Sequence, residues 1–380
     1  MPIYLDHAAS TPLKPEALAA MQDCLTDQAL MANPSSAHSL GRAAKARLSD
    51  CRARIAAHFA CAPEDVVFNS GGSEGDTHAL LGAARLHGMP CHIAISAIEH
   101  EAVEIAARSL ISPACRLSII PVNRNGVVEL DVVEELLRDE HPDIISVMAV
   151  NNEVGTLQPV CEIAALCRQR EVIFHTDAVR AIGHGLPEIE RCPDITLLNG
   201  TAHKFGGPRG VGVLIQRGLR LPQLICGGGQ EHGCRAGTEN LAGIAGLVAA
   251  LELATPHEAA HLEGLKRELE NHLRESFPGC VIHGAGATRT THVTSVAFPG
   301  VYNRELQAQL DARGICVGTG KACHDAHSAD NSGVLGAMRV PFELQRGTLR
   351  ISLGWSTTGE EIATLINTLQ ELLPVAAGAA

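Results

Sequence analysis

Apolar residues along this chain fall into short runs that alternate with stretches of helical spacing. Residues 14–26 and 39–59 carry apolar positions at intervals typical of helices. Runs rich in β-branched residues, typical of buried strands, occupy residues 66–68, 92–95, 144–150, 172–175 and 195–198. This alternation predicts an α/β fold in which helices cover both faces of a mostly parallel sheet.

Polar side chains follow the ends of these apolar runs. Open α/β sheets bind ligands in a crevice at the carboxyl ends of their strands, so the pattern predicts a site there. The polar positions, in chain order, are Ser70-Gly71-Gly72-Ser73, Glu99-His100, Asn151-Asn152, Asp177 and Lys204.

A change of composition near residue 255 predicts a domain boundary. A Gly/Ala-rich stretch at 241–254 is followed by Thr255-Pro256 and then by a charged helical stretch at 258–275. The residues from 281 onward have the pattern of an α+β unit. We therefore expect a large domain at 15–255 and a smaller domain made of 1–14 and 256–380.

Charge and cysteine content exclude several classes of protein. The 380 residues include 30 Lys+Arg and 42 Asp+Glu, and this net charge of -12 argues against a nucleic-acid ligand. The 13 cysteines are an odd number without a C-x-x-C pair, which argues against a disulfide framework and against zinc knuckles. No secretory signal or membrane-spanning run is visible, so we expect a soluble, cytoplasmic protein without a membrane partner.

Lys204 and Asp177 are the first residues to indicate a particular chemistry. A lysine that bonds to an aldehyde, with an aspartate for a pyridine nitrogen, is the minimal protein contribution to pyridoxal phosphate catalysis. The Gly/Ser turn at residues 70–73, between a strand and a helix, offers N–H groups for a phosphate. Taken singly, Lys204 is equally compatible with a surface turn, and the Gly/Ser segment with a simple connection.

Several further motifs make the pattern specific. With them, the chain resembles the cysteine desulfurases of the class V aminotransferase group, which are fold-type-I pyridoxal-phosphate enzymes, over essentially its full length. The long segment between Cys323 and Arg350 resembles the long-loop branch, which includes the iron–sulfur-cluster and nitrogenase-associated enzymes. The motifs are Tyr4-Leu5-Asp6-His7, Asn33-Pro34-Ser35-Ser36, Glu99-His100, Asn151-Asn152-Glu153, His203-Lys204, Gly227-Gly228-Gly229-Gln230-Glu231, Arg235-Ala236-Gly237-Thr238 and Leu349-Arg350-Ile351-Ser352.

The resemblance implies roles for individual residues. Lys204 would hold the cofactor covalently, His100 would stack on its ring and assist proton transfer, and Cys323 would be the nucleophile. Thr238 would reach the phosphate of a neighbouring subunit, and no metal ligand is implied. The implied cofactor-binding residues are Gly72, Ser73, Asn152, Asp177, Arg180, Thr201, His203, Lys204 and Thr238, and the substrate-binding residues are Asn33, Asn152 and Arg350.

The implied activity is conversion of L-cysteine to L-alanine with pyridoxal 5'-phosphate. Cys323 would carry the sulfur as a persulfide and pass it to an acceptor protein, and a homodimer would share its two active sites. The small domain would carry the Cys323 loop. Two alternatives stay open: a selenocysteine lyase or C–S β-lyase that does not need Cys323, and a catalytically weak sulfur-transfer scaffold.

Two departures from the family pattern bear on these expectations. Arg180 stands where the family usually has a glutamine that contacts the phenolic oxygen of the cofactor. An arginine there would hold that oxygen anionic, or would turn to pair with Asp177. The second departure follows Cys323, where His324, Asp325 and His327 form either a solvated polar loop or, less simply, a metal-binding cluster.

Overall fold

The structure, a computed structural model, describes residues 2–320 and 333–373. Its strands are short and mostly end at a turn or at the start of a helix. In chain order they are β1 (Ile3–Leu5), β2 (Val66–Asn69), β3 (Cys91–Ser96), β4 (Cys115–Ile120), β5 (Ile144–Ser146), β6 (Ile173–Asp177), β7 (Leu197–Thr201), β8 (Gly212–Gln216), β9 (Val281–Ile282), β10 (Val293–Ala297), β11 (Ile315–Val317) and β12 (Thr348–Ser352).

Helices separate most of these strands. Two of them, α2 and α9, are 21 residues long. In chain order the helices are α1 (Pro15–Thr26), α2 (Ser39–Phe59), α3 (Gly72–His87), α4 (Glu101–Ser109), α5 (Leu130–Asp139), α6 (Val160–Gln169), α7 (Pro187–Glu190), α8 (Leu241–Glu252), α9 (Pro256–Ser276), α10 (Asn303–Asp311), α11 (Val334–Ala337), α12 (Phe342–Arg346) and α13 (Gly359–Leu372).

The largest sheet has seven strands in the order β2-β8-β7-β6-β5-β3-β4. Only β8 runs antiparallel to its neighbours, while the remaining pairs are parallel. Strands such as β2, β3 and β8 are short runs buried along their whole length, which is typical of a sheet covered by helices on both faces. The predicted α/β architecture with a mostly parallel seven-stranded sheet is confirmed.

The rest of the chain builds two smaller sheets. β9, β10 and β12 form an antiparallel sheet, and β1 pairs in parallel with β11. One apolar cluster joins β1 with side chains from α9, α10 and α13, whereas two other clusters pack on the seven-stranded sheet. The division into two domains at residue 255 stays a prediction.

Two of the expectations drawn from composition concern the described residues directly. Each of the twelve cysteines in residues 2–320 and 333–373 is a free thiol. Within the same residues, no helix combines the length and the apolar character needed to cross a bilayer.

Candidate active site

A cavity of ≈ 490 Å³ lies at the carboxyl ends of the parallel strands of the large sheet. Residues of the first and last parts of the chain close it from the other side. Parallel strands end at one edge of a sheet, so polar residues from distant segments meet there. Ten predicted site residues line this cavity: Gly72, Ser73, His100, Asn152, Asp177, Arg180, Thr201, His203, Lys204 and Arg350.

Lys204 lies just after β7, where its side chain is largely buried. Its Nζ donates hydrogen bonds to the carbonyl oxygens of Ala9 at 2.8 Å and Ala8 at 3.1 Å. Burial, with the positive charges of Arg180 and Arg350, lowers the pKa of Lys204 to about 7. A large fraction of this amine is therefore uncharged at neutral pH, as a nucleophilic lysine requires.

Asp177 ends β6 and is 5% exposed. Its Oδ1 accepts a hydrogen bond from the N–H of Val179 at 2.9 Å, and it has no Lys or Arg partner within ion-pair distance among the described residues. Burial, followed by the nearby acid Asp76, raises the pKa of Asp177. A cation brought to this carboxyl group would stabilise its charged form, so the site favours a positively charged ligand atom here.

The amino-terminal end of α3 forms a cradle beside these residues. Gly71 has φ of +144°, and a Cβ placed on it would lie 3.3 Å from Oγ1 of Thr201. Gly72 and Ser73 begin the helix, where N–H groups lack helical acceptors and the dipole is positive. His203 lies on the same side of the cavity, with its Nδ1 3.1 Å from Oγ of Ser10. This donor set suits a phosphate group.

His100 lines the cavity and also caps α4. Its Nδ1 accepts a hydrogen bond from the N–H of Ala102 at 3.1 Å. A neutral imidazole has one proton, so in this arrangement the proton is on Nε2. In this geometry Nε2–H of His100 can donate a hydrogen bond. Nδ1 can accept a proton only if its hydrogen bond with the N–H of Ala102 breaks.

Arg350 lies in β12 and is the predicted anchor for a substrate carboxylate. Its Nη1 donates to the carbonyl oxygen of Asn152 at 3.1 Å, and its Nη2 pairs with Oδ1 of Asp6 at 2.9 Å. Among the described residues, its buried Nε has no hydrogen-bond partner. A Cβ on Gly318 would lie 2.9 Å from Asp6 and 3.1 Å from Nε, so only glycine leaves room for a ligand beside this guanidinium.

Arg180 is buried and donates to the carbonyl oxygen of His7 at 3.5 Å. It makes no ion pair with Asp177. The expectation that Arg180 turns to pair with Asp177 is therefore not met in this structure. Burial, with the charge of Arg350, lowers the pKa of Arg180 to about 9. A buried guanidinium at the wall of a cavity favours an anionic ligand atom nearby.

Two predicted residues lie elsewhere on this chain, and one lies outside the described residues. Nδ2 of Asn33 is 3.4 Å from Oγ1 of Thr238, and both residues are exposed and away from the cavity. Cys323, with His324, Asp325 and His327, falls in the range 321–332, which the structure does not describe.

The sequence pattern missed several residues that line the cavity. Asp6 belongs to the motif Tyr4-Leu5-Asp6-His7, but the motif does not indicate a role for its side chain. Asp76 lies one helical turn after Gly72, and this i,i+4 spacing on α3 is the signal that would have found it. Gln307 of α10 and Thr319 carry no comparable signal, because they come from segments remote from the strand ends.

The chain is similar to several known proteins over most of its length. The aminotransferase class V family matches residues 3–365. The chain is 37% identical to a cysteine desulfurase IscS of Clostridium botulinum, over 98% of this chain and 94% of the relative. A solved NifS-like protein has a TM-score of 0.89 at 32% identity and covers 98% of this chain and 99% of its own. A structure described as SspA in complex with cysteine has a TM-score of 0.79 at 29% identity, over 94% of this chain and 100% of its own.

Proposed function

This chain belongs to the aminotransferase class V family and is a cysteine desulfurase, and we propose that it uses pyridoxal 5'-phosphate to convert L-cysteine into L-alanine. The observation that carries the proposal is that Lys204 and Asp177 line the same cavity. The lysine amine has a pKa of about 7, and the buried carboxyl group has no Lys or Arg partner among the described residues.

The donors around the cavity fit this cofactor. Lys204 would bond to its aldehyde carbon, and Asp177 would pair its ring nitrogen. The phosphate would lie at the start of α3, held by Gly72, Ser73 and Thr201 with His203 beside them. Each of these groups has the charge or hydrogen-bonding capacity that the corresponding part of the cofactor requires.

The unpartnered Nε of Arg350 supports a carboxylate-binding role for that residue. A substrate carboxylate would bond to Nε and Nη2 as a two-pronged pair. Nη2 is already paired with Asp6, so substrate binding exchanges one carboxylate for another. Asn152 would orient the same carboxylate, because its backbone oxygen fixes the Arg350 guanidinium.

Bound pyridoxal phosphate supplies an electron-withdrawing ring that stabilises negative charge at the substrate Cα. The uncharged Lys204 amine is the group placed to take the Cα proton and to return a proton to the product. His100 lies at the same cavity and would orient the ring by packing against it. Its Nε2–H would donate a hydrogen bond, since Nδ1 is committed to the α4 cap.

Cys323 would be the sulfur acceptor. Its thiolate attacks the substrate sulfur, a sulfur–sulfur bond forms, and the substrate C–S bond breaks with its electron pair left on Cβ. A proton at Cβ completes alanine, so cysteine plus the Cys323 thiol give alanine plus a Cys323 persulfide without an outside oxidant. Gly320 lines the cavity, and three residues of chain span at most about 10 Å, a length that would allow the Cys323 thiol to reach the substrate.

Asn33 and Thr238 would act across a subunit boundary. Both are exposed on one patch away from this chain's own cavity, which suits residues that complete the site of a second copy. We also propose that the protein forms a homodimer and that a separate protein accepts the persulfide sulfur. We propose a cytoplasmic location as well.

The direct test is turnover of L-cysteine by the purified protein loaded with cofactor. Alanine and sulfide are expected in equal amounts in the presence of a thiol reductant. If the cofactor binds with its absorbance band but cysteine yields no alanine, the activity assignment is wrong. A chain that never acquires the band would support the scaffold alternative instead.

Exchange of Arg180 for glutamine is expected to raise the pKa of Lys204. Arg180 is the largest electrostatic cause of the lowered Lys204 pKa after burial, so removing its charge favours the protonated amine. The pH midpoint for covalent cofactor uptake by the apoprotein should therefore move upward in Arg180→Gln. The absorbance band of the bound cofactor should also change, because a cation beside its phenolic oxygen is lost.

Arg168→Gln is the matched control for that measurement. Arg168 pairs with Asp194 on the surface, and its side chain is 70% exposed, so its removal should leave the midpoint and the band unchanged. A midpoint that stays the same in Arg180→Gln would show that Arg180 does not act on Lys204.

A further inference from the structure

A second cleft lies at the amino-terminal ends of the sheet strands, at the opposite edge from the active-site cavity. It has a volume of ≈ 610 Å³ and lies where α3 ends and where β3, β4 and β5 begin. His92 lines it, with its Nε2 2.9 Å from Oγ of Ser118. Four other side chains with nitrogen, thiol or carboxylate ligand atoms line it: His87, Cys91, Cys115 and Asp143. They take no part in the proposed desulfurase reaction, so a function of this cleft is independent of that activity.

The potential ligand atoms of this cleft converge. Those of His87, Cys91 and Asp143 all lie within 4.8 Å of one another. Cys115 is the register partner of Cys91 on the neighbouring parallel strand and lines the same cleft. In a tetrahedral zinc site, nitrogen and sulfur ligands are roughly 3.6 Å apart. The triad of His87, Cys91 and Asp143 is therefore only about one ångström wider than a filled zinc site.

The contacts of His87 leave its Nε2 aimed at the carboxylate of Asp143. Its Nδ1 is 3.3 Å from the carbonyl oxygen of Gly88, and its Nε2 is 3.0 Å from Oδ1 of Asp143. Both oxygens can only accept, and a doubly protonated imidazole satisfies both of them in the absence of metal. A metal ion bound to Nε2 and to the carboxylate would take the place of the Nε2 proton, and Nδ1–H would still donate to Gly88, as in most metal-bound histidines.

The ligand positions are fixed by the surrounding fold. The N–H of His92 donates to Oδ2 of Asp143 at 2.7 Å, which orients the carboxylate and leaves Oδ1 toward His87. Cys91 and Cys115 are 4% and 2% exposed at the starts of paired strands. Two thiolates and a carboxylate would leave one net negative charge around a divalent ion, and Arg116 lines the same cleft to offset it.

We propose that His87, Cys91, Cys115 and Asp143 bind one divalent transition-metal ion, for which zinc is the best chemical match. Two thiolates, one imidazole and one carboxylate make a closed tetrahedral set, which is typical of a structural rather than a catalytic zinc site. The ion would join the end of α3 to the first residues of β3, β4 and β5.

Titration with Co²⁺ tests this proposal. The holoprotein is stripped of metal with a chelator and used in a Cys323→Ala background, so that the active-site thiol does not compete. One equivalent of Co²⁺ per chain should give the intense visible bands of tetrahedral thiolate coordination, at longer wavelength than the cofactor absorbs. His87→Ala and Asp143→Asn should each weaken binding at least about tenfold. Zn²⁺ should displace Co²⁺ and raise the Tm of the parent protein more than that of either variant.

Two matched variants separate this site from adventitious binding. Cys226 is an exposed thiol and His272 an exposed histidine, both outside the cleft. Cys226→Ser and His272→Ala should therefore bind Co²⁺ as the parent does. His87→Ala in the otherwise unaltered chain should keep its desulfurase activity. A parent without tetrahedral Co²⁺ bands, or an unchanged affinity in His87→Ala and Asp143→Asn, would overturn the proposal.

Discussion

A Cys323→Ala variant is expected to retain its bound cofactor and its colour but to lose cysteine desulfuration by at least roughly a hundredfold. The residues proposed to hold the cofactor are all elsewhere in the chain, so its binding should be intact. The sulfur, however, has no other thiol placed to receive it among the residues that line the cavity. Steady-state production of alanine from cysteine, with the absorbance spectrum recorded on the same sample, measures both effects.

Cys226→Ala is the control for that experiment. Cys226 is a free, exposed cysteine that does not line the active-site cavity, so this variant should turn over cysteine at the rate of the unaltered chain. Normal cysteine turnover by Cys323→Ala would refute the nucleophile assignment. Comparison with selenocysteine identifies the alternative, because a lyase in which the cofactor alone breaks the bond would process both substrates without Cys323.

A Lys204→Ala variant is expected to lose covalent attachment of the cofactor and at least about a thousandfold in activity. Lys204 is the one lysine among the described residues that line the cavity, and it is proposed to supply both the covalent bond and the proton acceptor. Reduction with borohydride followed by mass spectrometry should show the cofactor on the unaltered chain and none on the variant. Lys45→Ala, a change at an exposed position of α2, should behave as the unaltered chain does.

The pH dependence of cofactor uptake gives an independent measure of the same residue. Only the uncharged amine attacks an aldehyde, and the pKa of Lys204 is lowered to about 7. Uptake by the apoprotein should therefore increase as pH rises through about 7 and level off above it. For a lysine with an unperturbed pKa of about 10.4, the rate of cofactor uptake would still increase with pH up to that value. A midpoint in that higher range would contradict the environment described for Lys204.

Much of the fold was predictable because its elements carry local signals. The apolar runs that became β2, β3, β5, β6 and β7 are bounded by turns and separated by helical spacing, and the sheet they form is the expected one. The antiparallel course of β8 had no such signal. A fully buried apolar strand has the same pattern in either direction, so its orientation depends on the connection that precedes it.

Part of the candidate site was predictable from single residues whose type and position after a strand indicate a particular chemistry. Lys204, Asp177 and the Gly72–Ser73 turn follow strand ends, and the parallel sheet brings strand ends together. Asn33 and Thr238 lie away from the cavity of their own chain; the resemblance implied such a place for Thr238 but not for Asn33. Whether a motif residue serves its own cavity or another copy's depends on the folded surface.

The sequence by itself determined the strand–helix alternation, the motif residues and, through them, the reaction class. Only the tertiary structure decided that Asp6 pairs with Arg350 and that His87, Cys91 and Asp143 converge at the opposite end of the sheet. The reason is physical. Periodicity and turn chemistry act between neighbours in sequence, whereas pKa shifts, ion pairs and metal geometry depend on distances between atoms that only the packed chain brings together.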